Sequence, residues 1–242
     1  KPLDKKELEI NPDVLVIGGG ISGIEAGLSL AGDKRKVYLV ERSDSLGGMA
    51  GKLSQLLPHQ GSGLSVIQDK IEKIKNDKNI TVLPESEVAE VRGFLGNFEV
   101  RIQGRGQGAT PREIKVGAVV VATGFDLWDS IDPALYGYAD IDDVITAKEF
   151  EGMSASGKLL LKNGKPPQSV ALVHCVGRKE RGYCSKVCCL YSLKFAHQLR
   201  EKQPPVDVYE FYTDLCLPEK MDQEYFEDAK NRGVRFIRSD EI

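Results

Sequence analysis

Residues 13–48 read DVLVIGGGISGIEAGLSLAGDKRKVYLVERSDSLGG, and this stretch decides the fold. Val14 to Ile17 is a short apolar run of the length of a buried parallel strand. Gly18, Gly20 and Gly23 follow in the spacing GxGxxG. A helix is expected from Ile21 to about Ala31, because Ile21, Ile24, Leu28 and Ala31 recur on one helical face. Gly32-Asp33 ends it. A second apolar run, Val37 to Val40, ends on Glu41, about twenty residues past the first glycine. Each part has a physical task. Gly18 makes the tight turn, Gly20 leaves room for a pyrophosphate at the backbone, and Gly23 lets helix and strand pack closely. The pyrophosphate then meets the unpaired N–H groups and positive dipole end of the helix. Glu41 is placed to accept hydrogen bonds from ribose hydroxyls. The stretch therefore reads as a dinucleotide site.

The rest of the composition narrows the class. The chain has 242 residues, 41% of them hydrophobic, which allows one large or two ordinary domains. With a net charge of −3, no strong field argues for nucleic acid or an anionic membrane as partner. The opening KPLDKKELEINP has no apolar core and does not read as a secretion signal. No apolar run reaches the length of a membrane span. Five cysteines occur, and four of them cluster between 175 and 189. Without an export signal, such clustering points to metal or redox chemistry rather than a disulfide framework.

Along the chain, residues 1–10 read as a charged tail. Leu64 to Lys75 is an amphipathic helix and Ile80 to Leu83 a strand. Glu85 to Val91, Asn97 to Gln103 and Arg112 to Lys115 read as short strands, with turns at Gly93, Gly96 and Gly104 to Gly108. Ala118 to Val121 is a further strand, apolar enough to be covered on both faces, and it ends in Ala122-Thr123-Gly124. A helix is expected near Ala147 to Met153. Asn163 to Pro167 (NGKPP) reads as a domain boundary. Ser169 to His174, a helix from about Ser185 to Glu201, Val206 to Tyr212, a helix from Asp222 to Asn231 and Val234 to Ile237 form a second β-α-β-α-β series, hence a second parallel sheet.

GxGxxG, Glu41-Arg42, the pair Gly47-Gly48 and the strand ending ATG together resemble the FAD-binding domain of the two-dinucleotide-binding flavoproteins, the glutathione reductase and thioredoxin reductase group. The resemblance implies an α/β fold: an FAD Rossmann domain with an inserted β-meander over 11–155, and an incomplete second Rossmann-like domain over 166–242. It also implies FAD contacts from Gly18, Gly20, Ile21, Ser22, Gly23, Glu41, Arg42, Gly47, Gly48, Val88, Ala122, Thr123 and Gly124. The chain ends at Ile242 before the second unit closes, so it reads as a fragment or an incomplete domain.

In a nicotinamide-binding domain of that group the strand at Ser169 would lead into another GxGxxG. Here it leads into CVGRKERGYCSKVCC, a C-x8-C-x3-C-C pattern formed by Cys175, Cys184, Cys188 and Cys189. Cys184 and Cys188, at i and i+4, would share a helix face, with Cys189 turned by about 100°. The helix dipole together with Arg178, Lys179, Arg181 and Lys186 would favour thiolates. Four thiolates suit an iron–sulfur cluster or zinc; a redox dithiol or plain core cysteines are the alternatives. Iron–sulfur fits better, since a flavin needs an outlet for electrons. Cys216 reads as structural. His59 and His174 are assigned no role, and Trp128, Tyr136 and Tyr138 read as packing rather than as a flavin gate.

The cysteine pattern with VYLVERSDSLGGMAGKL, VGAVVVATGFDLWD and YGYADIDDVITAKEFE resembles the heterodisulfide reductase A-like flavoprotein family. Inserted ferredoxin modules with further CxxC runs are absent, so the shorter, quinone-interacting or sulfur-metabolism type fits better. The resemblance implies a [4Fe–4S] cluster on Cys175, Cys184, Cys188 and Cys189 beside FAD. It further implies electron transfer to other redox subunits, iron–sulfur or quinone-interacting, with a homodimer as a further assembly. The expected setting is cytoplasmic, with any membrane association made through those partners. A thioredoxin reductase-like disulfide or NAD(P)H-dependent oxidoreductase and a non-catalytic scaffold are the rival readings. No catalytic acid or base is assigned.

Overall fold

The computed structural model describes residues 7–57, 61–106, 110–127, 136–202 and 206–239. His59, Gly108 and Trp128 lie outside the described residues. The chain divides into two compact units, Lys1–Lys52 with Gly63–Leu127 and Leu53–Ser62 with Trp128–Ile242.

The first unit is built on a parallel sheet of β1 (Val14–Ile17), β2 (Val37–Val40), β3 (Ile80–Leu83) and β7 (Ala118–Val121), in the order β3-β2-β1-β7. Helices α1 (Ile21–Leu30) and α2 (Gly63–Asn76) cover one face. There Ile24, Ile67 and Ile74 pack on Val14, Val16, Val37 and Leu39. A three-stranded antiparallel meander, β4 (Ser86–Phe94), β5 (Asn97–Gly104) and β6 (Arg112–Val116), covers the other. Its Val100, Ile102, Ile114 and Val116 pack on Leu15 and Val40. Alternating side chains of β1 and β2 thus feed two separate cores, which is why these strands read as continuous apolar runs. The last strand departs from expectation. Among the described strands β7 pairs only with β1 and forms an edge, and Val121 is 71% exposed.

The second unit has a parallel sheet ordered β10-β9-β8, from β8 (Ser169–Val173), β9 (Asp207–Tyr212) and β10 (Arg235–Arg238). Helices α3 (Ala147–Ala155), α5 (Cys188–Lys202) and α6 (Lys220–Asn231) accompany it, with a single helical turn, α4 (Arg178–Arg181), after β8. Leu193, Phe195, Ala196 and Leu199 of α5 fill its core with Val206, Val208, Ala229 and Val234.

The division between units falls earlier than the composition suggests. Composition puts helix α3 in the first domain, but Phe150 packs on Phe195 with ring centroids 4.4 Å apart. Residues 53–62 also go with the second unit, and a buried polar network accounts for it. Glu151 Oε2 accepts from Lys194 Nζ at 2.5 Å, and its Oε1 accepts from the Ser54 N–H at 2.6 Å and Ser54 Oγ at 2.7 Å. Gln198 Nε2 donates to Ser54 Oγ and Gln55 Oε1, both at 3.1 Å. A buried lysine and glutamate are tolerated only with such complete pairing.

Candidate functional site

In the first unit, three glycine-bearing segments meet at one turn. Gly18 has φ +109, and a Cβ there would stand 2.2 Å from the Ala122 carbonyl oxygen, so only glycine fits beside the Ala122-Thr123-Gly124 segment. A Cβ on Gly23 would stand 1.8 Å from the Gly18 oxygen, which seats α1 directly against the turn. Gly47 and Gly48, at φ +119 and +53, pack on the same turn from the other side. The Gly47 N–H donates to the Gly19 carbonyl at 2.8 Å, and a Cβ on Gly48 would touch Gly20 Cα at 3.0 Å.

Gly20 itself faces open space: an added Cβ would meet only Gly48 Cα, at 3.9 Å. It is the N-cap of α1 and supplies no side-chain cap. The N–H groups of Ile21, Ser22 and Gly23 therefore begin the helix without intrahelical partners. The turn is a cradle of backbone donors kept open where a side chain would fill it.

Glu41 has a structural task here that the motif does not reveal. It is 8% exposed. Its Oε2 accepts from the Gly19 N–H at 2.6 Å, and its Oε1 accepts from the Ser43 N–H at 2.8 Å. The carboxylate braces the turn, and each oxygen keeps a second lone pair. Gly19 is a residue the GxGxxG reading passes over. A Cβ there would meet Leu46 at 2.5 Å and Glu41 at 3.0 Å, and the triple glycine GGG is its signal. Arg42 is exposed and reaches Asp126 at 3.5 Å. Val88 sits at a bulge of β4 and packs on the meander core, away from the glycine turn's own contacts. Thr123 and Gly124 are exposed, with Gly124 at φ +73.

In the second unit the sulfur residues gather where β8 ends and α5 begins. His174 continues β8, its N–H donating to the Phe211 carbonyl at 2.9 Å. Cys175 follows with φ +58, a left-handed conformation that costs a non-glycine residue energy. Cys188 and Cys189 open α5. A ring nitrogen of His174 and the sulfurs of Cys188 and Cys189 lie within 4.8 Å of one another. The sulfurs of Cys175 and Cys189 both approach the Asp214 carbonyl, at 4.0 and 3.9 Å. The Cys216 N–H donates to Cys189 Sγ at 3.3 Å. Cys216 thus belongs to the site through its backbone, a role spacing does not suggest. A cleft of about 260 Å³ opens here, lined by Cys175, Arg178, Lys179 and Asp214 among others.

Two expectations for the cysteines need correction. Cys184 does not share a helix face with Cys188. It lies in the loop before α5, and Lys186 at φ +60 interrupts any helix between them. Its sulfur accepts from the Lys186 N–H at 3.4 Å. At Cys188 the basic residues are also not what favours a thiolate. Cys188 is lowered to about 5, chiefly by the Cys189 S–H bonded to it, then by the Cys175 N–H, His174 and the Ser185 hydroxyl, against an opposing effect of burial. Cys189 moves the other way, because it donates that bond and is itself buried. Arg178 instead pairs with Cys175 and with Asp214, at 3.0 Å from the latter. Tyr191 is pushed up to about 12 by burial and the neighbouring sulfurs. Burial, Glu180 and Cys175 raise Tyr136, which places this tyrosine in the electrostatic reach of the site.

His174, which the sequence motifs leave without a role, is fully buried with Glu210 of β9. Its Nε2 lies 2.8 Å from Glu210 Oε2, and burial raises the Glu210 carboxyl despite that bond. The signal is present in the sequence VYEFY, where an acid takes the inward position of an apolar strand beside Val208.

A sequence profile of the pyridine nucleotide-disulphide oxidoreductase family matches residues 12–242. A CoB--CoM heterodisulfide reductase iron-sulfur subunit of Methanopyrus kandleri is 30% identical over 96% of this chain and 48% of its own length. The corresponding protein of Methanocaldococcus jannaschii is 29% identical over 97% and 48%. The chain spans about half the length of the curated relatives it matches. Thioredoxin reductase of T. acidophilum superposes on 94% of this chain and 64% of its own, with a TM-score of 0.58 at 13% identity. That of Lactococcus lactis gives 0.55 over 93% and 64%, at 15% identity. These two likenesses establish the α/β dinucleotide-binding fold. The chain belongs to the pyridine nucleotide-disulphide oxidoreductase family, among the relatives of the heterodisulfide reductase iron-sulfur subunits.

Proposed function

We propose that this chain is an FAD-dependent oxidoreductase module that passes electrons between the flavin, a cysteine-held iron–sulfur cluster and partner redox subunits in sulfur or energy metabolism. The observation that carries the reading is the open turn at Gly20, on which the three glycine segments converge. The first unit holds FAD and the second holds the cysteine site. When bound, FAD supplies two-electron chemistry and the cluster one-electron chemistry.

The residues here bind and tune. The N–H groups of Ile21, Ser22 and Gly23 receive the pyrophosphate, whose charge the α1 dipole favours. Glu41 offers its remaining lone pairs to ribose hydroxyls. Gly47 and Gly48 keep side chains away from the turn, and Thr123 and Gly124 leave the end of β7 open. Arg42 and Ile21 complete the surroundings of the turn, and the family resemblance adds Val88 from the meander. Cys175, Cys188 and Cys189 hold the metal centre, and the sequence pattern adds Cys184 as the fourth sulfur.

The second unit lacks a comparable cradle among its described residues, which disfavours a nicotinamide there: β8 runs into His174 and Cys175, and Gly177 caps only the single turn α4. Among the described residues no helix is long and apolar enough to cross a membrane. Any membrane contact of such a cytoplasmic complex is then made by its partners. The test is the absorption spectrum of the chain purified without oxygen. Flavin bands with a broad iron–sulfur shoulder, bleached by dithionite, are expected. Rapid bleaching of the flavin by NADPH alone would favour the thioredoxin reductase-like alternative.

A further inference from the structure

We propose that the exposed segment from Arg178 to Val187 is the docking surface for an acidic electron-transfer protein. This rests on the electron-transfer reading above and deepens it, naming the surface used and the charge of the partner.

The segment lies between Cys175 and Cys188 and runs RKERGYCSKV. It carries four cations, Arg178, Lys179, Arg181 and Lys186, against Glu180 alone, in a chain whose net charge is −3. The acid that faces it, Asp214, is itself met by two arginines, Arg178 at 3.0 Å and Arg238 at 3.6 Å. The segment is therefore positive in a chain that is negative on balance. Such a contrast steers a partner of opposite charge to one face.

A charged loop meant only for solvent does not account for the apolar members of the segment. Tyr183 is 65% exposed and Val187 56%. In sequence they stand among the cations. Protein interfaces combine an aromatic and apolar centre, enriched in tyrosine and arginine, with a polar rim. The backbone is also shaped beforehand. Gly177 and Gly182, at φ +78 and +74, cap α4 at its two ends, and the Gly182 N–H donates to the Arg178 carbonyl at 2.9 Å. Order present before docking lowers its entropic cost.

The position suits the exit or entry of electrons. Cys184 belongs to the segment, and Cys175 lines the cleft together with Arg178, Lys179 and Gly182. A partner seated here stands beside the sulfurs. Each encounter moves one electron between the partner's centre and that of this chain, one being reduced as the other is oxidised. A surface of this extent fits a transient redox encounter, which buries less than about 1,200 Å². Four cations interleaved with Glu180, Tyr183 and Val187 favour a protein face over an anionic membrane or nucleic acid, which draw on denser runs of Lys and Arg.

The test uses the full chain, with and without bound metal, and a fluorescently labelled acidic flavodoxin as probe. Binding is read from anisotropy, and a carbodiimide joins lysine amines to carboxylates already in contact. Saturable binding that weakens with salt is expected, with cross-links at Lys179 and Lys186 mapped by mass spectrometry. Arg181→Glu/Lys186→Glu should weaken binding at least about 10-fold at low ionic strength. Tyr183→Ser should weaken it by a similar factor at every salt concentration, since no charge is removed. Lys165→Glu, exposed ahead of β8 at the end opposite Cys175, is the control and keeps wild-type binding. Thermal unfolding confirms that each variant folds. Failure of flavodoxin to bind, equal binding of a basic cytochrome c, or cross-links that fall only elsewhere would overturn the inference. So would binding of phosphatidylserine vesicles in place of flavodoxin. Docking by a chain that never holds iron supports the surface and removes the cluster. A chain loaded with flavin and iron that does not dock refutes the surface and leaves the cluster standing.

Discussion

The cradle at Gly20 separates folding from cofactor binding at neighbouring glycines, and two alanine substitutions exploit this. At Gly20 a methyl group points into open space, 3.9 Å from the nearest heavy atom, and φ is −77, ordinary for alanine. Reduced freedom of the unfolded chain favours alanine by about 0.4–1 kcal/mol. Alanine is a poorer helix cap than glycine, which offsets this. Folding stability of Gly20→Ala should therefore stay within about 1 kcal/mol of wild type. On the proposed reading, the same methyl occupies the position a pyrophosphate needs. An enforced misfit of about 1–3 kcal/mol weakens FAD binding about 5- to 150-fold. At Gly23 the methyl would stand 1.8 Å from the Gly18 oxygen. Helix and turn would have to part by about 1.2 Å to reach the 3.0 Å that real contacts respect. Gly23→Ala should lose about 1–3 kcal/mol of stability and flavin together. The assay is thermal unfolding beside the dissociation constant for FAD, read from quenching of flavin fluorescence. A Gly20→Ala protein that folds normally and binds FAD as tightly as wild type would refute the assignment of this turn.

The remaining predictions concern the second unit. Lys194→Met leaves Glu151 buried without its cation. It should cost about 3–5 kcal/mol, on the order of 10–20 °C in melting temperature, and Glu151→Met/Lys194→Met should recover most of that loss. In metal-free protein, Cys188 is a thiolate well below the usual thiol range, at about 5. Its alkylation by iodoacetamide should stay constant from neutral pH down to about pH 5 and fall below it, as mapped by mass spectrometry. Cys189 holds its proton and should resist the reagent across the same range.

Much of this is legible in the sequence, for identifiable reasons. Strands β1, β3 and β7 follow the apolar runs residue for residue, and for β1 the reason is that its two faces are buried in separate cores. Helix α2 follows its 3.6-residue period. The glycine spacing locates the turn because steric exclusion there is a local, backbone matter. What spacing could not give is long-range pairing. His174 and Glu210 lie 36 positions apart and meet only through the register of β8 and β9. The stretch SKVCC continues a helical pattern, and nothing in it reveals the left-handed Lys186 that ends the continuity. The NGKPP turn looks like a domain boundary by composition, whereas packing of Phe150 on Phe195 and the Glu151 network decide the division.

On the proposed reading this chain carries both a flavin and a metal cluster. Counting flavin, iron and acid-labile sulfide together in protein purified without oxygen tests it most directly. About one FAD, with about four irons and about four sulfides, is expected per chain. Flavin with neither iron nor sulfide, or a colourless protein that FAD does not reconstitute, would contradict it.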